Sequence, residues 1–326
     1  MLFSALFILG LVTTQASVAP TAPTGAAIKV VAGNDVVADL VRAIAGQDVQ
    51  LFVLGQGADP HHYEPTPADA KKIESADLVI EFGLGLDRAM GKLHRSTVSK
   101  AKLLVVAEGL AKKGSDAAVT DHADHADHAD HADHADHADH DHNHDHGSSA
   151  VDPHIWHDPS QVRILNERIC AALIAARPTS AESFRSRSLQ LDAQLVKLDE
   201  WIKTQVLLIK ESKRLLVTTH DGLQSFGNRY GFRVVGIEMT SDGADVAPSQ
   251  LIKMVNALRE TKSAVVFGDA AHHSRIAATV AREANVRLIE TLRLDSLLQT
   301  PAVEQGKAYL ETMRLNVNTI VKALQD

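Results

Sequence analysis

Hydrophobic and polar positions along this chain change period repeatedly, and the changes fall in a regular order. Ala27–Ala32 (AIKVVA) reads as a short strand. A helical pattern follows that Asn34 or Asp35 can cap and that Gly46 stops. Val49–Leu54 is a second strand, and the Gly- and Pro-dense loop GQGADPHHYEPTP comes after it. Thr66 and Pro67 suit the cap and first position of another helix. Leu78–Phe82 and Leu103–Ala107 are further strands, with a helical segment around Leu86–His94 between them. The alternation restarts later. Arg214–Thr218, Phe232–Ile237, Ala264–Gly268 and Val286–Glu290 read as strands, and Gly222–Tyr230, Ser249–Glu260, His272–Ala284 and Ala302–Leu324 as helices. Strands alternating with helices predict parallel sheets covered by helices.

Between the two runs lie a helix of about residues 160–176 and a longer pattern over 179–211. In the latter, Phe184, Leu191, Leu195, Leu198, Ile202, Val206 and Ile209 step by three, four or seven along one face. Thr179 and Glu182 have the spacing of a capping box. About 30 residues at about 1.5 Å each would make a helix of roughly 45 Å, more than one lobe needs. The expected architecture is α/β: an N-terminal lobe over 27–178, a linking helix over 179–211 and a C-terminal lobe over 212–326.

One stretch has neither period. Asp121–His146 reads DHADHADHADHADHADHADHDHNHDH and holds ten of the eighteen histidines. These are His122, His125, His128, His131, His134, His137, His140, His142, His144 and His146. Ala is its only apolar residue, so residues 112–150 are expected to stay disordered without metal. Imidazoles interleaved with carboxylates are a ligand set for a borderline divalent cation such as zinc, here at low affinity. The segment also explains the net charge of −8. Its nine Asp set aside, 32 acidic residues face 33 basic ones, and no basic stripe points to nucleic acid.

The N-terminus, MLFSALFILGLVTTQASVAPTAPTG, has an apolar run from Leu2 to Val12 followed by small and polar residues. It is expected to be a signal peptide over residues 1–19, although a basic leader segment is lacking. Cys170 is the only cysteine, so no internal disulfide is possible, and none follows the leader to carry a lipid. These features predict a periplasmic protein that is soluble and not lipid-anchored.

Ligands in open α/β sheets bind beyond the carboxyl ends of the strands. His61, His154, His220 and Asp295 meet that condition, two from each lobe. His61 and His154 share the pattern Asp-Pro-His (Asp59-Pro60-His61 and Asp152-Pro153-His154), in which proline stiffens the segment. The neighbouring Asp is placed to accept the other ring N–H and fix the tautomer. Three neutral imidazoles and one carboxylate would form a closed tetrahedral zinc shell. Each of these residues also has a plain reading as a loop or cap residue. His62, His157, His272 and His273 are rivals, and His94 reads as a surface residue. No H-E-x-x-H, G-x-S-x-G or Walker A motif is present. In a metal hydrolase the fourth position would be left to water, whereas here Asp295 fills it.

The segments GADPHHYEPTP, VDPHIWHDPS, TTHDGLQSFGNRYGF and LRLDSLL resemble, in order and approximate spacing, the solute-binding proteins of zinc and manganese ABC importers (cluster A-I). The resemblance covers roughly residues 27–326 apart from the insert. It implies two (β/α)4-type lobes around a rigid helix, one metal between them held by His61, His154, His220 and Asp295, and no enzymatic activity. It also implies a membrane permease as partner, with a periplasmic zinc chaperone as a further candidate partner, and a monomer. His at position 220 and the His-rich insert favour Zn²⁺ over Mn²⁺, which prefers oxygen donors. Manganese or iron binding, or a zinc buffer without a permease, are the alternative expectations. His157 stands where the family usually has an apolar residue.

The insert's composition makes a prediction. It carries a charge close to −9 when its ten histidines are neutral and +1 when all are protonated. With histidine pKa near 6.5, metal uptake by the insert should fade below about pH 6. Deleting 112–150 should lower the zinc stoichiometry in equilibrium dialysis and leave one tight site. Loss of the tight site on deletion would show that the insert is part of it.

Overall fold

The computed structural model describes residues 27–110, 152–237, 247–271, 274–300 and 303–325. The expected signal peptide, the His-rich segment and the rivals His272 and His273 lie outside the described residues. Two four-stranded parallel sheets form the frame. The first holds β1 (Ile28–Ala32), β2 (Val49–Val53), β3 (Leu78–Glu81) and β4 (Lys102–Val105) in the order β2-β1-β3-β4. The second holds β5 (Leu215–Thr218), β6 (Arg233–Gly236), β7 (Val265–Asp269) and β8 (Arg287–Leu292) in the order β6-β5-β7-β8. The two orders are the same topology used twice, which is why the hydrophobic alternation restarts. In each sheet the chain reverses direction across the first strand, opening a crevice at the carboxyl ends.

The first lobe carries α1 (Asp35–Ala45), α2 (Pro67–Glu74), α3 (Arg88–Ser96) and α4 (Pro159–Ala176). The second carries α6 (Gln224–Tyr230), α7 (Pro248–Glu260), α8 (Arg275–Ala284) and α9 (Ala308–Gln325). Between them runs α5 (Ala181–Val206). Local chemistry sets these starts. Asn34 Oδ1 accepts the Val37 N–H at α1, and Thr66 and Asp69 form a reciprocal capping box at α2.

Alternation along the strands sorts side chains between cores. Val30 and Ala32 of β1 face a central core, while Val31 between them faces a satellite core with Leu54, Ile73 and Val79. In β7, Val265 and Phe267 face the central core and Val266 a second satellite with Val217 and Leu258. The central core crosses from lobe to lobe without interruption. It joins Leu40 and Ile44 of α1, Leu165 and Ile169 of α4, Leu195 and Leu198 of α5, and Tyr309 and Val317 of α9. The lobes therefore share one apolar interior. Cys170 is buried in it. Among the described residues no helix is long and apolar enough to cross a membrane.

The expected apolar face of α5 is the buried one: Phe184, Leu191, Leu195, Leu198, Ile202 and Val206 all lie on it. Its ends differ from expectation. Pro178–Ser180 forms a short 3-10 turn, which places Thr179 inside a turn instead of in the extended conformation a cap needs, and the Thr179–Glu182 box does not form. At the other end, Leu208 and Ile209 bond back three residues to Gln205 and Val206, so the helix closes at Val206 and the chain turns. Its 26 residues span about 39 Å. Helix α9 starts at Ala308, six residues later than its pattern suggested. Gly306 has φ +79°, and a Cβ there would lie 2.7 Å from the Ala43 backbone, so the chain passes hard against α1 before the helix begins. The buried carboxylate of Asp39 then accepts the Tyr309 N–H at 2.9 Å. His94, expected at the surface, is half-buried with a ring nitrogen 3.3 Å from the Ala101 carbonyl.

One polar cluster fastens α6 to α5. Asp199 accepts from Arg229 at 2.7 and 3.1 Å, from Lys203 at 2.6 Å and from the Tyr230 hydroxyl at 2.9 Å. Burial opposes the charge, but these donors outweigh it and hold the carboxyl down at about 2. Asp199→Ala strips partners from Tyr230 and Arg229 and should cost about 2 kcal/mol, lowering Tm by about 4–6 °C. Because the folded-state pKa is depressed, the contribution is present above the ordinary carboxylate pKa and is lost as pH falls toward 2. The gap between the variant and the parent should therefore narrow between pH 4 and pH 2 in thermal melts. A constant gap would locate the effect in packing alone.

Candidate metal centre

All four predicted ligands converge at the carboxyl ends of the two sheets. His61 sits in the segment after β2, and His154 opens a single 3-10 turn, Ile155–His157, ahead of α4. His220 lies two residues beyond β5, and Asp295 three beyond β8. The Nε2 atoms of His61 and His154 are 3.1 Å apart. Asp295 Oδ1 lies 3.0 Å from His154 Nε2 and 3.8 Å from His61 Nε2, and Asp295 Oδ2 lies 3.1 Å from His220 Nε2. One donor atom from each of His61, His154 and Asp295 falls within 4.8 Å of the others. His220 joins through the second carboxylate oxygen and packs its ring 5.5 Å from that of His154. Donors around a tetrahedral ion with bonds of about 2.0–2.1 Å lie about 3.3 Å apart, close to the separations among His61, His154 and Asp295.

Hydrogen bonding within the cluster is incomplete. His220 Nε2 and Asp295 Oδ1 are buried without an aligned hydrogen-bond partner, although each has a neighbour close to 3 Å. Buried orphans of this kind are costly. Both atoms lie in the cluster, where a bound cation would give them a partner.

The local sequence explains how the side chains are aimed. In both Asp-Pro-His segments the Asp accepts the backbone N–H of the His, Asp59 from His61 at 2.8 Å and Asp152 from His154 at 2.9 Å. In the second segment the Asp also meets the ring. Asp152 Oδ1 takes the His154 Nδ1 at 2.8 Å and leaves Nε2 facing the cluster. Asp152 Oδ2 also accepts the Ser225 hydroxyl of the other lobe at 3.1 Å. Gly222 makes room for His220, since a Cβ there would fall 2.8 Å from the ring nitrogen. The Asp269 carboxylate at the end of β7 accepts the backbone N–H groups of Leu294 and Asp295 and so fixes the Asp295 turn.

Charge follows from this packing. Burial works against a charged His154, but Asp152 and Asp295 outweigh it and push the imidazole up to about 10. His220 is raised against burial by Asp295. Burial, then the His154 charge, lowers His61. Asp295, despite burial, is held well below the usual carboxylate range by His154 and His220. Without metal, a proton on His154 offsets the buried carboxylates of Asp152 and Asp295, and Asp295 favours one on His220 as well.

The rivals are placed elsewhere. His157 is fully buried and its Nε2–H donates to the Leu294 carbonyl at 3.0 Å, beside the Trp156 indole N–H at 3.1 Å. Burial, then the His154 charge, lowers its pKa to about 4, so it acts as a neutral donor. His62 is exposed, with Nε2 3.8 Å from Asp59. Ser225, Asp269, Trp156 and His157 are the supporting residues that motif spacing did not reveal. Only the end-of-strand position of Asp269 carries a signal of the kind that found the ligands.

Relatives with known names share this frame. The chain is 28% identical over 304 residues to the manganese-binding lipoprotein MntA of Bacillus subtilis, covering 91% of this chain and 90% of that protein. It is 25% identical over 299 residues to the iron ABC transporter substrate-binding lipoprotein MtsA of Streptococcus pyogenes, covering 91% and 89%. Its fold matches that of the periplasmic zinc binding protein TroA from Treponema pallidum with a TM-score of 0.72 at 23% identity, over 91% of this chain and 99% of that one. The Mn-bound periplasmic metal binding protein from Candidatus Liberibacter asiaticus matches with a TM-score of 0.70 at 23% identity, over the same shares. Residues 30–323 match the family model of ZnuA, the periplasmic component A of zinc-uptake complexes. The chain belongs to that family, the non-enzymatic, metal-binding substrate-binding components of ABC importers.

Proposed function

We propose that this substrate-binding protein captures Zn²⁺ outside the cytoplasm and presents it to a membrane permease for import. The observation that carries the choice of metal is the donor set: three imidazoles and one carboxylate meeting across the lobes. His61, His154 and His220 supply nitrogen and Asp295 supplies oxygen, a set that suits zinc better than manganese. Net charge around a bound Zn²⁺ would be about +1, with Asp152 close by to balance it. The His-rich insert acts as a low-affinity collector ahead of His154. Some relatives are named lipoproteins. Cys170 is buried in the core.

The second reading is manganese or iron as cargo, favoured by the names of relatives covering nine-tenths of the chain. Titration calorimetry on chelator-stripped protein, with zinc and manganese in competition, separates the two. Zinc should win by at least about two orders of magnitude, and the His61→Ala/His154→Ala/His220→Ala variant should lose tight binding. His157→Leu should retain a single tight site. Manganese outcompeting zinc would reverse the assignment, and tight binding by the triple variant would move the site elsewhere.

Proton linkage gives an independent check. His154, raised to about 10, carries a proton at neutral pH that the metal must displace, and His220 is shifted in the same direction by Asp295. Binding should release between one and two protons near pH 7, and affinity should fall as the pH is lowered. Calorimetry in buffers of different ionisation enthalpy measures the release directly. A proton count near zero would mean that neither histidine is charged in the metal-free protein.

A further inference from the structure

The four ligands are not held equally. Asp295 is fixed by Asp269 and by two donors on the Leu294 carbonyl, and His154 by Asp152. The His61 side chain is 30% exposed, against 4% for His154 and Asp295, and its ring contacts lie within the cluster itself. It rides on the long segment between β2 and α2, which has no regular structure. What ties that segment to the opposite lobe therefore bears on the metal.

One carboxylate does so. Asp35, at the first position of α1, is only 7% exposed. It is not needed as the helix cap, a role Asn34 fills. Its Oδ2 accepts the Gly57 N–H at 3.1 Å, four residues before His61, and the Gln299 side-chain amide at 2.7 Å, four residues after Asp295. The other end of the Gln299 amide accepts from the Gln56 side chain at 3.4 Å. A single buried oxygen thus binds the His61 segment of one lobe to the Asp295 segment of the other. A cavity of about 400 Å³, lined in part by Asp35, Asp39, Arg42, Gln56, Gln299 and Glu304, lies beside the clip.

We propose that Asp35 and Gln299 are positioning residues that clip the His61 segment to the Asp295 segment and thereby set how fast the metal leaves. This rests on the assignment of His61 and Asp295 as ligands. The clip touches no ligand side chain, so breaking it leaves the donor set in place and lowers the barrier for His61 to swing out. Gln299→Glu sets a carboxylate against Asp35 and opens the clip most strongly. Gln299→Ala removes the bridge. Asp35→Asn added to Gln299→Glu removes the repulsion and restores a donor–acceptor pair.

The test has two parts. In the metal-free protein, hydrogen exchange should show faster exchange over 55–61 in Gln299→Glu and Gln299→Ala, with protection partly regained in Asp35→Asn/Gln299→Glu. In the metal-loaded protein, stopped-flow transfer of zinc to a chelator should be about 3- to 10-fold faster in the two single variants and return toward the parent rate in the double variant. The Co²⁺ absorption spectrum should be the same in all of them, because the ligands are unchanged. Unaltered exchange over 55–61 would overturn the clip. Altered exchange with unaltered release would overturn its control of release. A parent protein that fails to hold zinc or cobalt would instead overturn the ligand assignment, whatever the exchange data show.

Discussion

Everything in this molecule is arranged around one buried carboxylate. Asp295 is almost fully enclosed, and among the described residues its ion-pair partners are imidazoles, His61 and His154 from one lobe and His220 from its own. Burying a carboxylate unpaired costs far more than a small domain can spare. Two states satisfy it: protons on the histidines, or a divalent cation with the histidines neutral. The two states exclude one another, because a protonated Nε2 has no lone pair to give. His220 Nε2 and Asp295 Oδ1, buried without aligned partners, leave hydrogen-bonding capacity unfilled in the protein alone.

A site shared between lobes holds its shape only if the lobes hold theirs. Here a single apolar core runs through both, with α1, α4, α5 and α9 packed between the sheets. Fully burying a large apolar side chain is worth about 1.5–3 kcal/mol. Exposing even five of those at the interface by opening the lobes would cost roughly 7–15 kcal/mol, the scale of a whole domain's stability. Wide hinge closure is therefore not available to this fold. Motion must be confined to the segments after the strands, which carry few apolar anchors, and among the described ones the His61 segment is the most exposed.

Much of this was legible in the sequence. The period of the apolar positions found both sheets and the buried face of α5, because the same residues that repeat are the ones the shared core consumes. His61, His154, His220 and Asp295 were singled out by a positional rule, the carboxyl ends of parallel strands; the structure groups donor atoms of His61, His154 and Asp295 and sets His220 against the second Asp295 oxygen. Boundaries were less legible. The Thr179–Glu182 spacing suggested a cap, but Pro178 imposes a turn that the spacing cannot report. Helix α9 begins late because Gly306 must pass Ala43, a contact across more than 260 residues of sequence. The supporting shell was illegible for the same reason. Nothing near Ser225, His157 or Asp35 in sequence indicates that each reaches an atom of the other lobe, since such pairs exist only once two sheets have been set face to face.

Selectivity must then reside in very few atoms. Proteins named for manganese, iron and zinc share this fold with the present chain, so the frame does not choose the metal. The choice falls to the donors and to the charge they leave around the ion. An imidazole at position 220 contributes a nitrogen and no charge, whereas a carboxylate there would contribute an oxygen and bring the shell to neutrality. The difference also reaches the metal-free state. With His220 in place a second proton can balance Asp295, while a second carboxylate would leave the cluster one proton short and hold it open to hard cations. The same side chain thus tilts the contest twice, once in the bound shell and once in the state the metal must displace.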